Sequence, residues 1–282
     1  MKQTLRLGID IGGTKAAYGV VNEEGQILAH GSVSSKGHAD ATAFVHALYH
    51  STLQQIPAAQ YQQISTIGVG APNGNYYTGC IEFAPNLEWK GVIPLAAMME
   101  EQFKLPVKVT NDANAAAMGE MMYGAARGMK DFIMVTLGTG VGSGFVANGQ
   151  LIYGHDGFAG ELGHVIAVRE GRMCGCGRKG CLETYTSSTG IVKTANEMIA
   201  SNEKDSMLNG LVITDSKQLY EPALQGDALA LEIFEFTGKI LGQTLADAVA
   251  ITSPEAIILF GGLAQAGDFI LKPTQQYFEE NL

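Results

Sequence analysis

The sequence predicts an α/β protein made of two related domains that face each other across a cleft. Three observations carry this. A strand, a glycine-rich turn and a second strand open the chain (TLRLGID, GGTK, KAAYGVV). The same device returns at FIMVTL, GTGVG and residues 143–147, so Gly12-Gly13-Thr14 and Gly138-Thr139-Gly140 hold equivalent places in two copies of one unit. The chain is also long enough for two cores: 282 residues, 46% of them hydrophobic and 16% charged, are incompatible with disorder.

The elements follow in order. Residues 4–10 and 15–21 read as strands around the first glycine turn, and NEEG at 22–25 turns the chain into a third strand at 26–33. Phe44, Leu48 and Leu53 recur at helical spacing over residues 40–56, and Pro57 stops that helix. Strands are expected at 64–70 and 107–110. The Ala-rich run NDANAAAMGEMMYGAA (111–126) then reads as a helix with Asn111 or Asp112 as its N-cap. Strand 132–137, the second glycine turn, strand 143–147 and the Asn148-Gly149 hairpin turn make the second meander. Helices are expected near 187–200, 227–251 and 268–280, with a buried strand in AIILFGGLA (256–264). The strand–helix junction near 110 is the expected boundary, giving domains 1–110 and 111–282.

Composition narrows the function. A net charge of −10 argues against a nucleic-acid partner while leaving nucleotide phosphates open, because backbone N–H groups and a metal can hold those. The opening MKQTLRLGIDIGG lacks the form of a signal peptide, and no apolar run is long enough to span a bilayer. A cytoplasmic protein is the expectation, and clustered cysteines there point to metal before disulfide.

Both glycine turns read in two ways. Gly12 and Gly13 permit a tight hairpin, but Asp10, Thr14 and Lys15 beside them add a carboxylate, a hydroxyl and an ammonium, the makings of an anion site with Mg²⁺ near Asp10. Thr139 and Gly140 offer a second set of donors, and Gly261-Gly262 follow a third strand. Neither turn matches a Walker or dinucleotide pattern. Together they point to a nucleoside triphosphate. Asp112 serves as an N-cap or as a base. The helix dipole would keep its carboxylate ionised, able to take the proton of an attacking hydroxyl.

His164, Cys174, Cys176 and Cys181 supply one imidazole and three thiols, a complete tetrahedral zinc set with no open position, so the metal is expected to be structural rather than catalytic. Accidental clustering is the competing reading. Glu161 and Glu183 flank these ligands. They are either solvated charges or carboxylates held rigid to accept sugar hydroxyls. Cys80 reads as a core thiol.

DIGGTK, FAPNLEW, TNDANAAAMGE, LGTGVGSG, GELGH, CGCGRKGCLE and ILFGGLA together resemble the ROK family of sugar kinases and repressors, within the actin-like hexokinase and Hsp70-type ATPase fold of two duplicated ribonuclease-H-like domains. The resemblance covers nearly the whole chain and is strongest to the bacterial glucokinases of that family. It implies ATP-dependent phosphorylation of the 6-hydroxyl of a hexose, glucose foremost, with N-acetylmannosamine, N-acetylglucosamine, fructose or allose as alternatives. On that model Asp112 is the catalytic base. Asn111, Glu161, His164 and Glu183 hold sugar hydroxyls, joined by Asn73, Gly74 and Asn86. Gly12, Gly13, Thr14, Lys15, Thr139 and Gly140 bind phosphates, Gly261 and Gly262 line the nucleotide site, and Asp10 lies near Mg²⁺. A homodimer without nucleic-acid or membrane partners is implied. A sugar-sensing repressor is the remote alternative, since only nine residues precede Asp10. Two departures stand out. APNGNYYTG replaces the family's Pro-Gly and Asp-containing turn, and the chain ends at QQYFEENL where relatives continue, so a truncated chain is expected.

Overall fold

The computed structural model describes residues 4–282 and divides them into two compact units. The first comprises residues up to Gly128 together with Leu151–Ala159, and the second comprises Met129–Gln150 and Gly160–Leu282.

In the first unit, β1 (Leu5–Ile11), β2 (Lys15–Val21) and β3 (Ile27–Ser34) form the antiparallel meander. Helix α1 (Ala41–Gln55) starts on Asp40, whose carboxylate accepts from the Ala43 N–H at 2.8 Å, and buries Phe44, Val45 and Leu48 against the sheet core. After the short α2 (Ala58–Tyr61), β4 (Ile64–Ala71) returns parallel to β1, as a helical crossover requires. A two-stranded ribbon of β5 (Ile81–Glu82) and β6 (Val92–Ile93) leads to α3 (Leu95–Phe103), a helix the sequence reading did not identify. Strand β7 (Val107–Asn111) pairs parallel to β4, and α4 (Asp112–Tyr123) follows directly. The sheet order is β3-β2-β1-β4-β7.

The second unit repeats the pattern. Strands β8 (Phe132–Leu137), β9 (Val141–Ala147) and β10 (Gln150–Leu151) make the meander. Helices α5 (Glu183–Thr186), α6 (Ser188–Ser201), α7 (Tyr220–Leu224) and α8 (Ala228–Thr252) precede β11 (Ala256–Phe260), which joins β8 in parallel. Helix α9 (Asp268–Glu280) packs on α8. The two backbones come so close at Gly238 that a Cβ there would lie 2.7 Å from the Pro273 ring. The order β10-β9-β8-β11 reproduces the first four positions of the other sheet, so the duplication read from the glycine turns is real.

The boundary expected near 110 falls inside the first unit. The reason is packing: α4 lies on β4 and β7, with Ala113 and Ala117 buried, so strand and helix belong to one core. Among the described residues no helix is long and apolar enough to cross a membrane.

Candidate active site and metal cluster

The first group of site residues gathers at the ends of three parallel strands. Asp10 on β1 pairs in register with Gly70 on β4, and Gly70 with Thr110 on β7. Asn111 is the N-cap of α4, its side chain accepting from the Ala113 N–H at 2.8 Å. Asp112 Oδ1 accepts from the same N–H at 2.8 Å. The Asp112 carboxylate still meets solvent at the surface, yet burial raises its pKa above the ordinary value of 3.8, and the N–H groups of Ala113 and Asp112 only partly offset this. Burial thus opposes the helix terminus, which by itself favours the ionised carboxylate. Asp10 is raised as well, first by burial and then by the charge of Asp112. A carboxylate poised above its usual range is the stronger proton acceptor.

Gly70 was not singled out from sequence, although GVGAPN contains it. A Cβ there would lie 3.0 Å from the Ala115 Cβ and 3.4 Å from the Asp112 Cα, so its bare backbone sets how closely α4 can seat.

The first glycine turn closes with Gly12 N–H donating to the Lys15 carbonyl at 3.0 Å. Thr14 and Lys15 are exposed at its tip. Gly13 has a packing reason of its own, because a Cβ would meet the Asn86 carbonyl at 2.8 Å. Asn86 is thus brought to this turn. Gly74 packs on the Thr110 carbonyl, where a Cβ would come to 2.3 Å, and the Asn73 amide donates to the Glu82 carbonyl at 2.9 Å. Next to them, buried Asn75 donates to the Asp156 carbonyl at 2.7 Å, and Tyr76 stacks on Tyr153 with ring centroids 4.3 Å apart. The YYTG departure therefore anchors segment Leu151–Ala159 to the first unit, a long-range pairing invisible in the sequence.

The second group lies in the second unit. The turn at Gly138-Thr139-Gly140 is tied to the start of α6: Ser188 Oγ donates to the Gly138 carbonyl at 2.5 Å and Thr189 Oγ1 to the Thr139 carbonyl at 2.8 Å. The GELGH segment is fastened to β9. Ser143 Oγ donates to the Gly160 carbonyl and accepts from the Leu162 N–H at 3.0 Å. Gly163 lies so close to the Val141 carbonyl that a Cβ would come within 2.1 Å. Glu161 stands exposed at the head of the one-turn helix Leu162–His164. Ser143 and Gly163 were both overlooked, their role being to seat this segment.

His164, Cys174, Cys176 and Cys181 converge, with one donor atom from each within 4.8 Å of all the others. Cys176 and Cys181 sulfurs are 3.5 Å apart, and His164 Nδ1 lies 3.7 Å from the Cys174 sulfur. A tetrahedron with zinc–sulfur bonds has edges of about 3.8 Å, so the donor set fits zinc in number, type and spacing. Burial raises the thiols of Cys174 and Cys181. At Cys176 burial is outweighed by hydrogen bonds from Arg178 and the neighbouring thiols, which bring its pKa to about 6. A divalent cation bound among the three crowded sulfurs would favour their thiolate forms. Since Nδ1 faces the sulfurs, Nε2 of His164 is left to donate elsewhere. The Arg178 guanidinium donates to the His164 backbone carbonyl at 2.8 Å and ties the cysteine loop to the backbone of the GELGH segment. Cys80 is not a core thiol. It is half-buried, outside the two-residue β5, with its sulfur 3.5 Å from the Thr78 carbonyl.

Glu183 joins the cluster to the turn. One carboxylate oxygen is 3.0 Å from the Cys174 sulfur and 3.7 Å from His164 Nδ1. The other would be 2.9 Å from a Cβ placed on Gly140, a second contact that glycine permits. Gly261 (φ 106°) lies against the Leu137 backbone, 2.7 Å from its carbonyl oxygen if a Cβ were added, whereas Gly262 faces open space and lines a cavity of about 250 Å³ with Lys217, Tyr220, Phe234 and Gln265.

Two half-sheets of one topology, with glycine turns at equivalent places, define the actin-like ATPase fold. The ROK family profile matches residues 6–282, and the chain belongs to that family. It is 36% identical to a glucokinase of Halalkalibacterium halodurans over 281 residues, 97% of this chain and 84% of that protein. It is 31% identical to an N-acetylmannosamine kinase of Shigella boydii over 94% of this chain and 85% of that one. The crystal structure of a ROK glucokinase from Streptomyces griseus in complex with glucose and AMPPNP superposes with a TM-score of 0.80 at 36% identity, covering 99% of this chain and 89% of that one.

Proposed function

We propose that this chain is an ATP-dependent kinase that phosphorylates the 6-hydroxyl of glucose. The observation that carries the reading is Glu183. A carboxylate suited to a sugar hydroxyl sits directly against Gly140 of the second glycine turn, so hydroxyl acceptor and phosphate turn are neighbours in one unit.

The roles follow from the chemistry of each group. Glu161, Glu183 and the Nε2–H of His164 hold sugar hydroxyls, with Asn111 beside the base. Asn73, Gly74 and Asn86 shape the same region of the first unit. Asp112 accepts the proton of the attacking hydroxyl as the γ-phosphoryl group transfers, and the raised pKa suits that task. Backbone N–H groups of Gly12, Gly13 and Gly140, with the hydroxyls of Thr14 and Thr139 and the ammonium of Lys15, receive phosphates. The cavity at Gly262 takes the nucleoside, with the Tyr220 and Phe234 rings beside it. Mg²⁺ would be held near Asp10 and would neutralise phosphate charge. Zinc on His164, Cys174, Cys176 and Cys181 would hold the loop rigid. On this reading the protein acts in the cytoplasm, as a homodimer.

A panel of hexoses with coupled detection of ADP tests this. Glucose should give the highest kcat/KM. A preference for N-acetylmannosamine would select the second reading, which the Shigella boydii relative favours. ADP release with no hexose in the panel would overturn both.

A further inference from the structure

Arg172 belongs to none of the groups above, yet its side chain is only 9% exposed. Burying a guanidinium is costly unless each donor is satisfied, so its partners show what the cost secures. Nη1 donates to the Thr184 carbonyl at 2.8 Å and to Thr194 Oγ1 at 2.9 Å, and reaches the Gly190 carbonyl at 3.3 Å. Nη2 pairs with the Glu197 carboxylate. The guanidinium carbon lies 4.5 Å from the centre of the Tyr185 ring, and the Arg172 N–H donates to the Tyr185 hydroxyl at 2.8 Å.

These contacts join three pieces of chain. Arg172 leads the cysteine loop, two residues before Cys174. Thr184 follows Glu183 on α5. Gly190 and Thr194 lie on α6, whose first residues, Ser188 and Thr189, hold the carbonyls of the Gly138-Thr139 turn. One side chain thus joins the loop that carries the metal donors, the turn that carries Glu183 and the helix that seats the second glycine turn. We propose that Arg172 is a positioning residue for both substrates: through Thr184 and α6 it sets Glu183 for the sugar and the 138–140 turn for phosphate. Lysine cannot replace it, because one ammonium cannot reach carbonyls on two elements, a carboxylate and an aromatic face together.

The proposal rests on the kinase reading, and the test separates the two. Wild-type enzyme is assayed first; absence of hexose phosphorylation there overturns the kinase reading itself. With wild type active, Arg172→Lys should retain its zinc and circular-dichroism spectrum while KM for glucose and KM for ATP rise together. A rise of about tenfold in each is expected, what the loss of one charge-assisted hydrogen bond yields. A purely structural loss would reduce the amount of active enzyme, and so kcat, and leave both KM values unchanged. Arg172→Ala with added methylguanidinium should recover part of the lost kcat/KM. Thr194→Val, a milder change that removes one acceptor, should raise both KM values about twofold and keeps the test open if the lysine variant does not fold. Unchanged KM values in the folded variants, or a rise confined to one substrate, would overturn the proposal.

Discussion

Asp10 and Asp112 converge on Gly70. The Asp10 Oδ1 lies 4.0 Å, and the Asp112 Cα 3.4 Å, from the point where a Cβ on Gly70 would project. Two carboxylates that share a partly buried strand end repel one another, and Asp10 is raised in part by Asp112. This pairing costs stability in the free protein and is relieved by a cation or by one proton.

Asp112→Asn should remove most turnover, by about 10² to 10⁴-fold, and leave glucose binding measurable by calorimetry. In the wild type, kcat/KM should fall as pH drops through the pKa of Asp112. Because that pKa is raised, the acid limb should lie above the ordinary carboxylate range. Near-normal turnover of the asparagine variant would remove Asp112 from the role of base.

Gly70→Ala should reduce kcat by about tenfold, since a 1 Å displacement of a reacting group can cost more than that. The new Cβ meets the Ala115 Cβ at 3.0 Å and forces α4 outward. Ala115→Gly in the same chain should restore part of the rate. A double variant as slow as Gly70→Ala alone would show that the contact is not the cause.

Asp10→Asn should raise the melting temperature at pH 8 while abolishing activity. The sign follows from linkage. A carboxyl whose folded pKa is above its unfolded value binds its proton more readily when folded. Its destabilising effect is present above the folded pKa and fades as pH falls through it. The gain should therefore shrink toward acid, and a gain that grows toward acid would contradict the raised pKa.

Metal analysis of freshly purified protein should find one tightly held zinc per chain. Removal by chelation should weaken glucose binding, because Glu183 and His164 both lie on the donor cluster. Cys181→Ser should lower metal retention and glucose affinity together. Active protein without metal would refute the site.

The sequence by itself determined the duplicated α/β architecture and the four residues, His164, Cys174, Cys176 and Cys181, that converge as a possible metal cluster. Each of these is written locally: strand, turn and helix signals repeat at short range, and a zinc set is legible from spacing and donor chemistry. Tertiary structure alone decided what those residues touch. It showed Gly13 and Gly74 answering to carbonyls of Asn86 and Thr110 far along the chain, Gly70 limiting the approach of α4, and Glu183 reaching both Cys174 and Gly140. It also assigned α4 to the first unit and bound Leu151–Ala159 there through Asn75. The pKa of Asp112 belongs with these, because burial depends on what packs around a carboxylate, and a linear chain does not state which distant atoms displace its water.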